Sequence, residues 1–162
     1  MDPTFDSLVV LLEGQKEIYH DLLNLGKTKQ AELIKGSIEE IDNVTRREEA
    51  LIFQVGRLEE ERYKCVTRLL EINGHRPNAT LKEIIEIAPQ EIKEKMEELH
   101  QEMINIISQL DRLNQENMNL IRQSLKFIEV TMEAINPADQ TTYTSDHGVK
   151  TGSPSRLLDK KV

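Results

Sequence analysis

Large apolar residues recur at steps of three and four along three long stretches of the chain, the spacing that gathers side chains on one face of an α-helix. In the first stretch, about residues 4–35, the stripe is Leu8, Leu11, Leu12, Ile18, Tyr19, Leu22 and Leu25. Gly14 and Gly26 lie inside it, each costing roughly 1 kcal/mol of helix stability relative to Ala. Gly36 supplies a stop, and Ser37-Ile38-Glu39-Glu40 reads as a capping box that starts the next helix at once. A stop and a start in adjacent residues predict a tight helical hairpin.

The second stretch, about 38–72, has the cleanest period. Positions 41, 44, 48, 51, 55, 58, 62, 65, 69 and 72 alternate steps of three and four, and all but Glu48 and Arg62 are apolar, the pattern of a coiled-coil seam. Ile52, Val66 and Leu70 widen the stripe, so the helix faces two neighbours, as in a three-helix bundle, and not one, as in a two-stranded rod. Residues 73–89 form a linker containing Pro77 and Pro89. Within it Thr80-Leu81-Lys82-Glu83 is a second capping box, followed by Ile84, Ile85 and Ile87, which predicts a short helix over the open end of the bundle.

The third stretch, about 90–136, has the seam Ile92, Met96, Leu99, Met103, Ile106, Leu110, Leu113, Asn117, Leu120, Ser124 and Phe127. At about 1.5 Å per residue it is roughly 70 Å long, longer than either earlier helix. Residues 137–162 lose periodicity and read as a flexible tail whose large apolar residues are Tyr143, Val149, Leu157, Leu158 and Val162. The expected fold is all-α: an antiparallel three-helix bundle, or coiled coil, over 1–136, with a long third helix, a short linker helix and a disordered tail.

Three polar residues interrupt the seams: Glu48, Arg62 and Asn117. Such residues set register when a neighbouring helix supplies their partners. Folding the first hairpin about Gly36-Ser37 brings Glu13 near Arg62 and Lys27 near Glu48, with Glu102 of the third helix a second candidate for Arg62. Pairing the second and third helices antiparallel, with Ile72 near Ile92, puts Ile38 opposite Lys126. Residues 127–136 then have no helix of their own chain beside them. They still carry Phe127, Ile128, Val130, Met132 and Ile135, an exposed apolar helix end of the kind a partner helix docks on.

Composition narrows the function. The 162 residues are 38% apolar and 31% charged, with 3 Phe, 3 Tyr and no Trp, too few large side chains for a sandwich, a barrel or a deep substrate pocket. A net charge of −8 repels phosphate backbones and argues against nucleic-acid binding. The single Cys65 forms no internal disulfide, which fits a reducing compartment. The first apolar run, Leu8–Leu12, is too short for a signal peptide or a membrane span, so a soluble cytoplasmic protein without membrane insertion is expected.

The most suggestive chemistry is a pair of Glu-x-x-His motifs, Glu17…His20 and Glu97…His100, the arrangement of ferritin-like di-iron bundles. Those ligands must face the core. Here Ile18 with Leu22, and Met96 with Leu99, take the inward positions, which turns both motifs outward. His75 and His147 have no ligand spacing with anything. Phosphate-cradling glycine loops, nucleophile elbows and Cys–His arrangements are absent, and Cys65 falls on a seam. Neither an enzyme nor a cofactor is expected.

The residues resemble a known family. Tyr19-His20-Asp21-Leu22-Leu23-Asn24-Leu25, Lys29, Ile34, Gly36, Ile38-Glu39-Glu40-Ile41, Glu48-Glu49-Ala50-Leu51 and Leu58-Glu59-x-x-Arg62 are similar to the first two helices of FlgN-type flagellar export chaperones. Asn117-x-Asn119-Leu120 and Ser124-Leu125-x-Phe127-Ile128 continue the likeness, as do Thr142-Tyr143 with Gly148 and the closing Leu158-Asp159-Lys160-Lys161-Val162. Asn114-Gln115-Glu116-Asn117 departs from the family's Asn-Arg-x-Asn-Leu form, and residues 73–91 carry none of its signal.

The resemblance implies a non-enzymatic chaperone that keeps hook-filament junction (hook-associated) proteins soluble and delivers them to the cytoplasmic domain of the flagellar type III export gate. It implies cargo recognition by the C-terminal part, which here includes Phe127, Ile128, Met132, Ile135, Leu157 and Leu158, and gate docking through the tail tyrosine, matched by Tyr143. A permanent coiled-coil adaptor and, behind it, a di-iron protein are the alternatives.

Overall fold

The structure is a computed structural model that describes residues 3–75 and 79–136. It contains α1 (Pro3–Lys35), α2 (Ile38–Ile72), α3 (Leu81–Ile87) and α4 (Gln90–Ile135), and no strand among the described residues. The fold is the expected all-α one. The chain divides into two compact units, 1–123 and 124–162. Of the second, the described part is the last twelve residues of α4 together with Asn136.

Unit 1 is an up-down-up bundle. The turn between α1 and α2 rests on Gly36, whose φ of +76° is a conformation that side chains disfavour. The Gly36 and Ser37 amides both donate to the Glu32 carbonyl, at 2.9 and 3.1 Å. The reciprocal box expected at Ser37 and Glu40 does not form. Ser37 is extended at the N-cap position, but its side chain makes no cap hydrogen bond. Ile38, Glu39 and Glu40 are all exposed there, so water can serve the first amides of α2. The box at α3 does form: the Thr80 amide donates to Glu83 Oε2 at 2.6 Å, and the Glu83 amide donates to Thr80 Oγ1 at 3.3 Å.

α2 runs antiparallel to α1, as Cys65 Sγ at 3.3 Å from the Thr4 carbonyl and Lys29 at 2.9 Å from Glu48 require. α4 runs parallel to α1. Glu13 meets Lys95 at 2.8 Å, Lys16 meets Glu102 at 2.9 Å, and Gln30 donates to Glu116 at 3.1 Å. α3 places Ile84 and Ile85 over one end of the bundle. There they join Phe5, Leu8, Val9 and Leu12 of α1, Leu69 and Leu70 of α2, and Ile92, Met96, Leu99 and Met103 of α4 in one buried cluster. Each such side chain contributes about 1.5–3 kcal/mol by leaving water. Ile72, expected opposite Ile92, is exposed; Leu69 and Leu70 are the α2 residues in that cluster.

Candidate functional site

The polar seam residues occupy three different settings in unit 1. Asn117 is buried, and its Nδ2 donates to the Gly26 carbonyl on α1 at 2.9 Å, while its Oδ1 is buried without a partner. Glu48 pairs with Lys29 and not with Lys27; both side chains are largely covered. Arg62 pairs along its own helix with Glu59 at 2.6 Å, while Glu13 pairs with Lys95 and Glu102 with Lys16. The expected cross-helix partners of Arg62 are thus bound elsewhere. Half-buried Tyr19 adjoins this pair: burial raises its phenol pKa, Glu59 adds to the rise and Arg62 opposes it.

A further polar residue escaped the sequence reading. Gln15 is fully buried on α1, with neither Nε2 nor Oε1 hydrogen-bonded. Nothing in its chemistry distinguishes it from the exposed glutamines of the chain. Its one signal is its place on the inward stripe, midway between Leu12 and Ile18.

The Glu-x-x-His residues do not converge. Glu17, His20 and Glu97 are exposed and His100 is half-buried. Among the described residues no three His, Cys, Asp or Glu side chains gather where they could hold a metal ion. A surface groove between α1 and α2 is lined by Asp21, Asn24, Leu25, Thr28, Arg47, Ala50 and Leu51. That set offers one carboxylate and one guanidinium but no nucleophile with a base beside it.

The feature that can do something chemically distinctive is apolar surface. The burial pattern of α4 ends at Asn117, with Leu120 and Ile121 only partly covered. In unit 2, every residue from Ser124 to Asn136 is exposed. Within those thirteen residues Leu125, Phe127, Ile128, Val130, Met132 and Ile135 are between 54% and 73% exposed. Isolated exposed apolar residues are ordinary, but six in one short helical stretch make an unusually apolar patch of surface. Four of the sequence-assigned cargo residues, Phe127, Ile128, Met132 and Ile135, are therefore brought together on one helix. Leu125 is exposed on the same stretch and was not singled out, although its spacing of three from Ile128 was visible. Leu157, Leu158 and Tyr143 lie outside the described residues. No described helix is long and apolar enough to cross a membrane.

The family described as FlgN protein matches the chain over residues 1–151. An uncharacterized protein of Bacillus subtilis (strain 168), YvyG, is 24% identical over 149 residues, covering 90% of this chain and 91% of that relative. No solved structure matches the chain.

Proposed function

Since the chain belongs to the FlgN family, the flagellar export chaperones, we propose that it binds hook-filament junction proteins in the bacterial cytoplasm and delivers them to the cytoplasmic domain of the flagellar type III export gate. The observation that carries this reading is the exposed apolar stretch Leu125–Ile135. A chaperone of this kind works by equilibrium binding: it covers apolar cargo surface with its own and gives it up at the gate, with no bond made or broken. Phe127, Ile128, Met132 and Ile135 take the cargo, with Leu157 and Leu158 contributing from the tail. Glu48, through Lys29, and Asn117, through the Gly26 carbonyl, hold the bundle in register, whereas Arg62, assigned the same role from the sequence, pairs along α2 with Glu59. Tyr143 serves the gate, its aromatic body filling an apolar pocket and its hydroxyl reaching a polar rim.

The cargo half of the reading is tested by capture of purified junction subunits on the immobilised protein, and the gate half by Tyr143→Ala. That variant keeps junction-protein binding and melting temperature while gate-domain binding and motility fall. Normal motility would remove Tyr143 from the mechanism. A permanent adaptor differs in one respect: it stays in the finished flagellum, whereas a chaperone is absent from purified filaments.

A further inference from the structure

Among the described residues, the buried apolar side chains of unit 1 fall into two sets. One is the cluster closed by α3, which includes Leu12 of α1, Leu69 of α2 and Ile92, Met96 and Met103 of α4. The other lies toward the Gly36 turn. It contains Leu23 and Leu25 of α1, Val44 of α2, and Ile106 and Leu113 of α4, none of which joins that cluster. Between the two sets the interior is polar. Gln15 is fully buried there, and neither of its amide atoms has a partner. A Cβ on Gly14, its chain neighbour, would lie 3.5 Å from Leu58 Cδ1, so this level of α1 faces Leu58 of α2. Arg62 turns back along α2 toward the same level: its Nη2 donates to Glu59 at 2.6 Å, and its Nε is buried without a partner. Tyr19, one turn on from Gln15, adjoins the Arg62–Glu59 pair.

We infer that unit 1 opens in two steps and that the Gln15 layer is the boundary: the hairpin half, residues 20–57, unfolds locally while the end closed by α3 stays folded. Apolar side chains lose by entering water, but Gln15 and the Arg62 Nε regain there the hydrogen bonds they lack in the closed bundle. A separation at this layer is therefore the cheapest one. The two sides are also held unequally. The α3 end is plugged by Ile84 and Ile85. The hairpin end is closed by a two-residue turn and stitched by polar contacts, Lys29 to Glu48 and Asn117 to the Gly26 carbonyl, each at 2.9 Å. From residue 45 to residue 68 no side chain of α2 is more than partly buried. Segments with few buried apolar contacts open as cooperative units at a lower free energy than the whole domain. Opening here uncovers Ile106 and Leu113 and leaves Ile92 and Met96 covered, which changes the apolar surface on offer without unfolding the chain. The inference concerns the bundle alone and does not depend on the cargo-binding reading.

Native-state amide exchange of the full-length protein tests it, under conditions in which closing outpaces exchange. The amides of Leu23, Leu25 and Val44 are expected to exchange at least about tenfold faster than those of Leu12, Leu69 and Met96. Two variants locate the boundary. Ile92→Val trims a buried side chain of the closed end only. It is expected to speed exchange at Leu12, Leu69 and Met96 at least about twofold and to leave Leu23, Leu25 and Val44 unchanged. Gln15→Leu removes the amide that gains water on opening, so it is expected to slow exchange at Leu23, Leu25 and Val44 at least about fivefold. If the wild-type Leu23 set exchanges no faster than the Leu12 set, or Ile92→Val speeds both sets by the same factor, the bundle opens as one unit and the inference is overturned. If Gln15→Leu leaves the Leu23 set unchanged, the break lies elsewhere and Gln15 is not its boundary.

Discussion

Asn117 on α4 reaches across to α1 and donates its side-chain N–H to the Gly26 carbonyl at 2.9 Å, and the glycine permits the approach. A Cβ built on Gly26 would lie 2.8 Å from Leu113 Cδ2, one turn before Asn117 on α4. Leu113 is itself buried, so it has little room to retreat.

Gly26→Ala therefore sets two effects against each other. Helix propensity favours Ala by about 1 kcal/mol, while overpacking costs about 1–3 kcal/mol. The clash wins, and the variant is expected to lose about 1 kcal/mol in urea unfolding. Adding Leu113→Ala removes the clash, so the double variant is expected to lose less than the sum of the two singles. Strict additivity would show that the α1–α4 contact at Gly26 is looser than described.

Gln15 predicts the opposite sign. Its amide has given up water without gaining a partner, a cost of about 1–3 kcal/mol. Gln15→Leu keeps the size and removes that cost, so it is expected to raise the urea midpoint with the slope unchanged. A lowered midpoint would mean that the amide is hydrogen-bonded in solution.

These two positions show where sequence reading succeeded and where it stopped. The apolar stripes were legible because period alone decides which face of a long helix leaves water. The antiparallel hairpin followed from Gly36 and Ser37 because glycine tolerates the +76° φ that the turn needs. Arg62 was misjudged because a long side chain can pair with Glu59 one turn away as readily as across a seam, and a facing register cannot choose between them. Gln15 was illegible because its burial is imposed by its neighbours and not announced by its chemistry. At the apolar end of α4 the facing register alone marked residues 127–136 as uncovered, and all of them are exposed.

The cap of α3 gives a pH prediction. The Thr80 amide, and then its hydroxyl, hold the Glu83 carboxyl below its ordinary pKa. A depressed acid stabilises the folded state above the unfolded pKa, and that contribution is lost as pH falls through the folded one. Glu83 thus supports α3 in full above the ordinary glutamate pKa and progressively less as pH falls through its own, lower one. Protection of the Ile84 and Ile85 amides from exchange is expected to fall in wild type as pH drops through the Glu83 titration, and Glu83→Gln is expected to flatten this acid limb. An unchanged acid limb in that variant would show that the cap does not couple to α3 burial.

The most direct test of the account is calorimetric titration of a purified junction subunit into the wild-type protein and into the Ile128→Asp, Ile135→Asp double variant, with thermal melts of both. Both residues are more than half exposed, so their replacement is expected to leave the melting temperature within about 2 °C. Binding is expected in wild type and is expected to disappear in the variant. Full-strength binding by a stably folded variant would contradict the claim that this chain carries its cargo on the end of α4.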